Sequence, residues 1–159
     1  MAASIQIDYL ADHPSFVETL AAWHHEAFGR LTPGDSVVGR IEWLRRRANH
    51  RAIPMVIVAT LEGELAGSAT LAESDMETRR DLTPWMTDVF VKPECRRRGI
   101  ASTLVRRIVE EAGALGVSEL YLFTTGKMRE HLYAGLGWSV IDRPIYLDAE
   151  RVLMSIRPR

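Results

Sequence analysis

An apolar run, Val89-Phe90-Val91, ends at Lys92-Pro93-Glu94-Cys95 and gives way to Arg96-Arg97-Arg98-Gly99, after which Ile100 opens a helical pattern. Strand, basic turn and helix start, in that order, leave several backbone N–H groups unpaired at a helix N-terminus and aimed at one small volume. The helix dipole adds about half a positive charge there, so the site suits a phosphate or pyrophosphate. Gly99 lets the backbone approach an anion closely or take a positive φ. The chain has neither a Gly-x-x-x-x-Gly-Lys-Ser/Thr loop nor a Gly-x-Gly-x-x-Gly turn, so the common nucleotide-binding spacings are excluded. Just upstream, Asp88 interrupts the apolar strand, and alternation points its side chain opposite to Val89 and Val91.

The rest of the composition narrows the chemistry. A chain of 159 residues, 47% hydrophobic and 26% charged, fits one globular domain over residues 1–159. A net charge of −1 gives no overall basic field for nucleic acid, and the basic runs at Arg45 to Arg47 and Arg96 to Arg98 are short. Cys95 is the only cysteine, which excludes an internal disulfide and a cysteine-rich zinc site; it reads as a surface thiol. His24-His25-Glu26 lacks metal-binding spacing on a helix and reads as a partly exposed helix surface. No metal, nucleic-acid or membrane partner is expected. Without a leader-like segment or a run of about 18 apolar residues, the expected location is the cytoplasm.

These residues need elements to hold them. Residues 4–10 alternate as a first strand, and His13-Pro14-Ser15 starts a helix carrying Phe16, Leu20, Trp23 and Phe28. Thr32-Pro33-Gly34-Asp35 breaks it, and a second helix is expected over residues 36–49. Residues 53–61 and 65–72 read as a hairpin around Glu62-Gly63-Glu64, followed by a polar loop over 73–83. The central strand spans 85–92, a helix 100–115, a parallel strand 119–124 and a short helix 128–134. Residues 138–156 read as two strands joined around 147–150.

Arg96-x-x-Gly99-x-Ala101 resembles the pyrophosphate motif of the GNAT superfamily of acetyl-CoA-dependent N-acetyltransferases. Asp88-Val89-Phe90-Val91-Lys92-Pro93-Glu94 and Leu132-Tyr133-Ala134-Gly135-Leu136-Gly137-Trp138 resemble the same family, and the likeness is strongest from Pro84 to Trp138. The resemblance implies an α/β fold: a mixed, mostly antiparallel sheet of about seven strands with a central parallel splayed pair, flanked by about four helices. It implies acetyl-CoA as co-substrate, its pantetheine arm in the splay. Phe90 and Val91 backbone would serve that arm, with Thr124 or Thr125 adding contacts. Arg96, Arg97, Arg98, Gly99, Ile100, Ala101 and Ser102 would surround the pyrophosphate. One departure stands out: many relatives carry an asparagine and an alanine seven and four residues before the tyrosine, where this chain has Gly126 and Arg129.

The implied reaction moves an acetyl group from acetyl-CoA to a primary amine by direct attack in a ternary complex. Tyr133 would protonate the departing thiolate, since a phenol of pKa about 10 stays protonated at neutral pH. Asp88, directly or through a water, would help remove the amine's proton. A lysine-like amine of pKa about 10.4 is mostly charged at neutral pH, whereas an α-amino group of about 8 needs less help. By position alone, Trp85, Asp75, Asp81 and the loop from Gly29 to Asp35 are expected to shape a pocket for a cationic or aromatic amine, with a small-molecule or peptide amine as acceptor. The alternative is an acyl-CoA-binding sensor on the same fold without turnover. A homodimer through the sheet edge or the last strands is compatible with the resemblance.

Overall fold

The computed structural model describes residues 4–159. Strand β1 (Ile5–Tyr9) leads through two short 3-10 turns into α1 (Val17–Phe28) and then α2 (Val37–Arg47), which Ser36 caps by accepting the Gly39 N–H. Strands β2 (Met55–Leu61) and β3 (Glu64–Ala72) form the expected hairpin. After β4 (Trp85–Val91) come α3 (Ile100–Ala114), β5 (Leu120–Thr124) and α4 (Lys127–Gly135). Strand β6 (Ser139–Asp142), a small hairpin of β7 (Ile145–Tyr146) and β8 (Ala149–Glu150), and β9 (Val152–Ile156) complete the chain.

The sheet order is β1-β2-β3-β4-β5-β9-β6, antiparallel except between β4 and β5. The fold expected from the resemblance is therefore present, a seven-stranded mixed sheet with four helices. The final segment is richer than two strands and a turn: β9 inserts between β5 and β6, and residues 145–150 form a separate hairpin.

Two apolar layers cover the sheet. On one face, Ile100, Leu104, Val105 and Ile108 of α3 pack against Met55, Ile57, Ala69, Met86 and Val91. On the other, Leu20 and Ala21 of α1 and Leu44 of α2 pack against Val56 and Val58. Alternation along β2 explains this division, since Met55 and Ile57 face one layer and Val56 and Val58 the other. A third cluster, Met76, Trp85 and Leu153 with Tyr121, Phe123 and Tyr146, anchors the residues between β3 and β4 and the β7–β8 hairpin.

Strands β3 and β4 come unusually close beside α3. A Cβ at Gly67 would sit 2.6 Å from the Phe90 carbonyl oxygen and 3.3 Å from Leu104 Cδ1. Backbone cannot yield there as a flexible side chain would. Gly67→Ala is expected to destabilise the protein by about 2 kcal/mol, read as a lower urea midpoint at unchanged m. An unchanged midpoint would show that the strands separate freely at this point.

Candidate active site

Strands β4 and β5 touch only at their beginnings. Trp85 pairs with Tyr121, the Tyr121 N–H donates to the Pro84 carbonyl at 3.1 Å, and no later residues of the two strands pair. The gap opens toward Val91 and Thr124, the carboxyl ends of a parallel pair, where ligands of α/β sheets bind. Backbone parity decides which groups face it. The Lys92 N–H donates to the Ala66 carbonyl at 2.8 Å, so the next pair, Gly67 with Val91, is the kind whose N–H and C=O point away from each other. Val91 thus presents its backbone to the gap. Phe90 does not: parity turns its polar groups toward Ser68, and its ring lies with Trp23, His24 and Phe28 on the α1 side. The expectation for the Phe90 backbone is corrected accordingly.

Beyond Val91 a 3-10 turn (Pro93–Cys95) and two left-handed residues, Arg97 at φ 65° and Gly99 at φ 78°, fold the chain into α3. No side chain caps this helix, and an added Cβ at Gly99 would meet open space. The Thr103 side chain donates back to the Gly99 carbonyl at 2.8 Å. Unpaired first-turn amides facing open space are what an anion requires. Arg96, Arg97 and Arg98 are all exposed, but Arg96 Nε donates to the Val91 carbonyl at 3.0 Å and ties the loop to the strand end. Cys95 is half-buried against the α3 core rather than a simple surface thiol.

Asp88 sits in a bulge. Ser68 pairs with Phe90 but Thr70 with Thr87, so two steps along β3 match three along β4. Asp88 takes φ 51°, and it meets α2 while Val89 and Val91 pack in the α3 layer. The extra residue brings Thr87 and Asp88 to the same face. There Arg40 Nη1 lies 3.6 Å from Asp88 Oδ2, Arg40 Nε donates to Asp35 Oδ1 at 2.7 Å, and Asp35 Oδ2 meets His25 Nδ1 at 2.6 Å. Hydrogen bonds from His25 and Arg40 hold the Asp35 carboxyl below its usual range despite burial. Burial pushes Asp88 up, against the pull of Arg40 and Arg47.

Asp75 joins this group from the segment between β3 and β4. Burial pushes its carboxyl up to about 7, the nearby Asp88 charge adds to the rise, and a Thr87 hydrogen bond works against it. Arg47 lies over the Trp43 ring, 4.2 Å from its centroid, and its charge acts on Asp88. His24 is fully buried, its Nε2 2.9 Å from Ser68 Oγ, and burial with Arg40 nearby pushes its pKa down to about 3. It is therefore a neutral core residue, and the expectation of an exposed surface holds only for His25 and Glu26.

Two expected pocket residues lie elsewhere. Trp85 has no exposed surface, its Nε1 donates to the Leu82 carbonyl at 2.7 Å, and it packs against Tyr121 and Phe123. A side chain so enclosed cannot touch a substrate. Asp81 is exposed and paired with Arg79 at 3.1 Å, outside the Asp75–Asp88 group. Arg40 and His25 were missed, and Asp35 was anticipated only as the end of the loop from Gly29 to Asp35. The only signal in the sequence was an acid at a helix-breaking turn followed by an arginine four residues into the next helix, which reads as surface.

Across the splay, Thr124 is buried opposite Val152, and Thr125 accepts from Arg151 Nη1 at 2.7 Å. Tyr133 on α4 is nearly buried beside Trp138, and burial raises its pKa above the ordinary phenol value. Its hydroxyl donates to no protein acceptor among the described hydrogen bonds, so a proton is held there without a structural partner. Among the described residues no group of three His, Cys, Asp or Glu is placed to hold a metal ion, and no helix is long and apolar enough to cross a membrane.

Comparison with known proteins agrees with this geometry. The chain belongs to the acetyltransferase (GNAT) family, whose sequence profile matches residues 13–138. No curated protein matches it significantly. Among solved structures it is similar to yncA of Salmonella typhimurium, solved with its cofactor acetyl-CoA, at TM-score 0.75 and 16% identity over 100% of this chain and 95% of that one. It is also similar to an N-acetyltransferase of Staphylococcus aureus Mu50, at TM-score 0.76 and 17% identity over 100% of both chains. A ribosomal-protein-alanine N-acetyltransferase of Brucella melitensis matches at TM-score 0.75 and 20% identity, over 97% of this chain and 99% of that one. At such identities the structural likenesses establish the fold.

Arg40 is buried between two carboxylates, so its removal leaves Asp35 and Asp88 without their shared cation. Arg40→Met is expected to cost about 3 kcal/mol in urea unfolding at neutral pH. A loss under 1 kcal/mol would show that water, not Arg40, compensates these charges.

Proposed function

We propose that this protein is an N-acetyltransferase that moves an acetyl group from acetyl-CoA to a primary amine on a small molecule or peptide, by direct attack in a ternary complex. The observation that carries the reading is the uncapped start of α3, set behind the Gly99 turn at the open end of the β4–β5 gap. Backbone amides of residues 97–102 receive the pyrophosphate, and the outward-facing N–H of Val91, with the carbonyl lone pair that Arg96 leaves free, receives the pantetheine arm. Bound acetyl-CoA supplies the activated acetyl group as a thioester.

This chain supplies the proton chemistry. On one side, the acidic group formed by Asp88 and Asp75 receives the acceptor's ammonium and draws off a proton. On the other, the raised pKa of Tyr133 keeps its phenol protonated, so it donates to the departing thiolate rather than acting as a base. Gly126 and Arg129 make the cofactor contacts near α4 differ in detail from those of many relatives, while the pyrophosphate loop and Val91 need no particular side chain there.

Calorimetric titration with acetyl-CoA is expected to show micromolar binding that Gly99→Glu abolishes, because a side chain at φ 78° is strained and its charge repels phosphate. Absence of binding to the unaltered protein would end the reading. With binding established, thiol release is to be followed with ethanolamine, putrescine, free amino acids and short peptides as acceptors. Tyr133→Phe is expected to lower kcat about 100-fold while leaving acetyl-CoA affinity within twofold. Full turnover in that variant would remove Tyr133 from the proton-donor role.

A further inference from the structure

Arg40 joins the α1–α2 connection to the central strand, and each nitrogen of its guanidinium has a different partner. Nε donates to Asp35 Oδ1 at 2.7 Å, Nη2 donates to Thr32 Oγ1 at 3.4 Å, and Nη1 lies 3.6 Å from Asp88 Oδ2. Nε and Nη2 form one edge of a rigid planar fork, so the connection sets the plane and the plane sets where Nη1 stands against β4. Asp35 is fastened in turn, because its second oxygen, Oδ2, accepts from His25 Nδ1 at 2.6 Å. Gly29 permits that contact: a Cβ there would sit 3.0 Å from His25 Nδ1 and 3.1 Å from Asp35 Oδ2.

The links along this chain are graded. The His25 side chain is 43% exposed, those of Asp35 and Arg40 only 7% and 9%, and that of Asp88 17%. The inner links are short and closed to solvent, and the last is longer and more open. At 3.6 Å Arg40 attracts the Asp88 carboxylate without a full hydrogen bond, so the carboxylate keeps its acceptor capacity for an incoming ammonium. A bidentate pair would have spent that capacity on the guanidinium. Neutralising two buried acids requires only a nearby cation, whereas a fixed plane with one loose link also aims a carboxylate.

We propose that Arg40 is a positioning residue for acetyl transfer: held in plane by Asp35 and Thr32, it fixes the orientation in which Asp88 receives the acceptor's ammonium, and His25 and Asp35 act through it. The assignment rests on the N-acetyltransferase reading above and adds to it three side chains that act without touching acetyl-CoA or the acceptor. Lysine is the replacement that separates aiming from neutralising. It keeps a positive charge between the two carboxylates, but an ammonium on a flexible stem has no plane and cannot hold three partners in a fixed fork.

Arg40→Lys is expected to keep acetyl-CoA affinity and the urea midpoint close to those of the unaltered protein. With the fastest amine of the panel its kcat is expected to fall about 30-fold, while acceptor KM changes less than about threefold, because the charge remains and the alignment is lost. His25→Gln and Gly29→Ala, at the outer end of the chain, are expected to lower kcat about threefold. Since Arg40 acts through Asp88, adding Arg40→Lys to Asp88→Asn is expected to lower kcat no further. Full turnover in Arg40→Lys, or losses that multiply in the double variant, overturns the assignment. The coupling is also read without turnover, from the side-chain Nε–H resonance of Arg40 in the free protein, assigned through its own side-chain carbons. That signal is expected to shift in both Asp35→Asn and Asp88→Asn, and indifference to Asp88→Asn overturns the proposal whatever the lysine variant does. Absence of acetyl-CoA binding by the unaltered protein overturns instead the function from which the proposal starts.

Discussion

The extra residue in β4 is the constraint on which the side-chain half of the site depends. Without it, strict alternation would send Thr87 and Asp88 to opposite faces of the sheet: counted from Val89 and Val91, Asp88 would still face α1 and α2, and Thr87 would enter the apolar α3 layer. With it, Thr87, Asp88 and Phe90 turn toward α1 and α2, and Val89 and Val91 remain with Ile100 and Leu104. The bulge lies in the ladder with β3, just past the Trp85–Tyr121 pair after which β5 diverges, and a bulge beside a site commonly re-aims a side chain. One backbone event thus sets a hydroxyl and a carboxylate on one face beside the gap.

That arrangement places several polar groups in an interlayer that would otherwise be apolar. Between the sheet and α1–α2 lie Arg40, Asp35, Asp88, His24, Ser68 and Thr70, most of them nearly closed to solvent. Burying charges is costly unless each finds a partner, so the layer holds only because Arg40 serves Asp35 and Asp88 together. His24 meets the same demand differently: it stays neutral and spends one nitrogen on Ser68, leaving the other unmet. The apolar α3 layer on the opposite face carries the packing that lets this polar layer persist.

The sequence discloses the backbone half of the site better than the side-chain half. The pyrophosphate turn is local: strand, basic turn, Gly99 and helix follow within a dozen residues, and no distant contact is needed to read them. The hairpin of β2 and β3, the parallel order of β4 and β5 across α3, and the short helix ahead of Gly135 are local in the same sense. The acidic group is not local. Asp35, Arg40, Asp75 and Asp88 come from a helix connection, a helix, a strand connection and a strand, and only the bulge and the α1–α2 packing bring them together. Trp85 misleads for a related reason, because periodicity places it on a strand without saying that Met76, Leu153 and Phe123 will close over it. Likewise Phe90 and Val91 look interchangeable in sequence, and the hydrogen-bond parity set by Lys92 and Ala66 alone separates them.

Arg96 shows how the two halves are joined. Its side chain could have been expected to reach an anion, yet its Nε binds the Val91 carbonyl, the very group whose direction is set by strand parity. The loop that receives the pyrophosphate is thereby fastened to the strand that receives the pantetheine arm, five residues away. Such a bond fixes a distance between two binding surfaces that contact different parts of one elongated molecule, and pre-set distances lower the ordering cost of binding. On the other side of the gap, Arg151 does comparable work: it donates to the Tyr146 and Leu147 carbonyls and to Thr125, holding the β7–β8 hairpin against the end of β5. Neither arginine has a carboxylate within salt-bridge range among the described residues. Both spend a planar, multi-donor cation on backbone and hydroxyl oxygens, a choice that makes sense where geometry across the gap matters more than charge neutralisation.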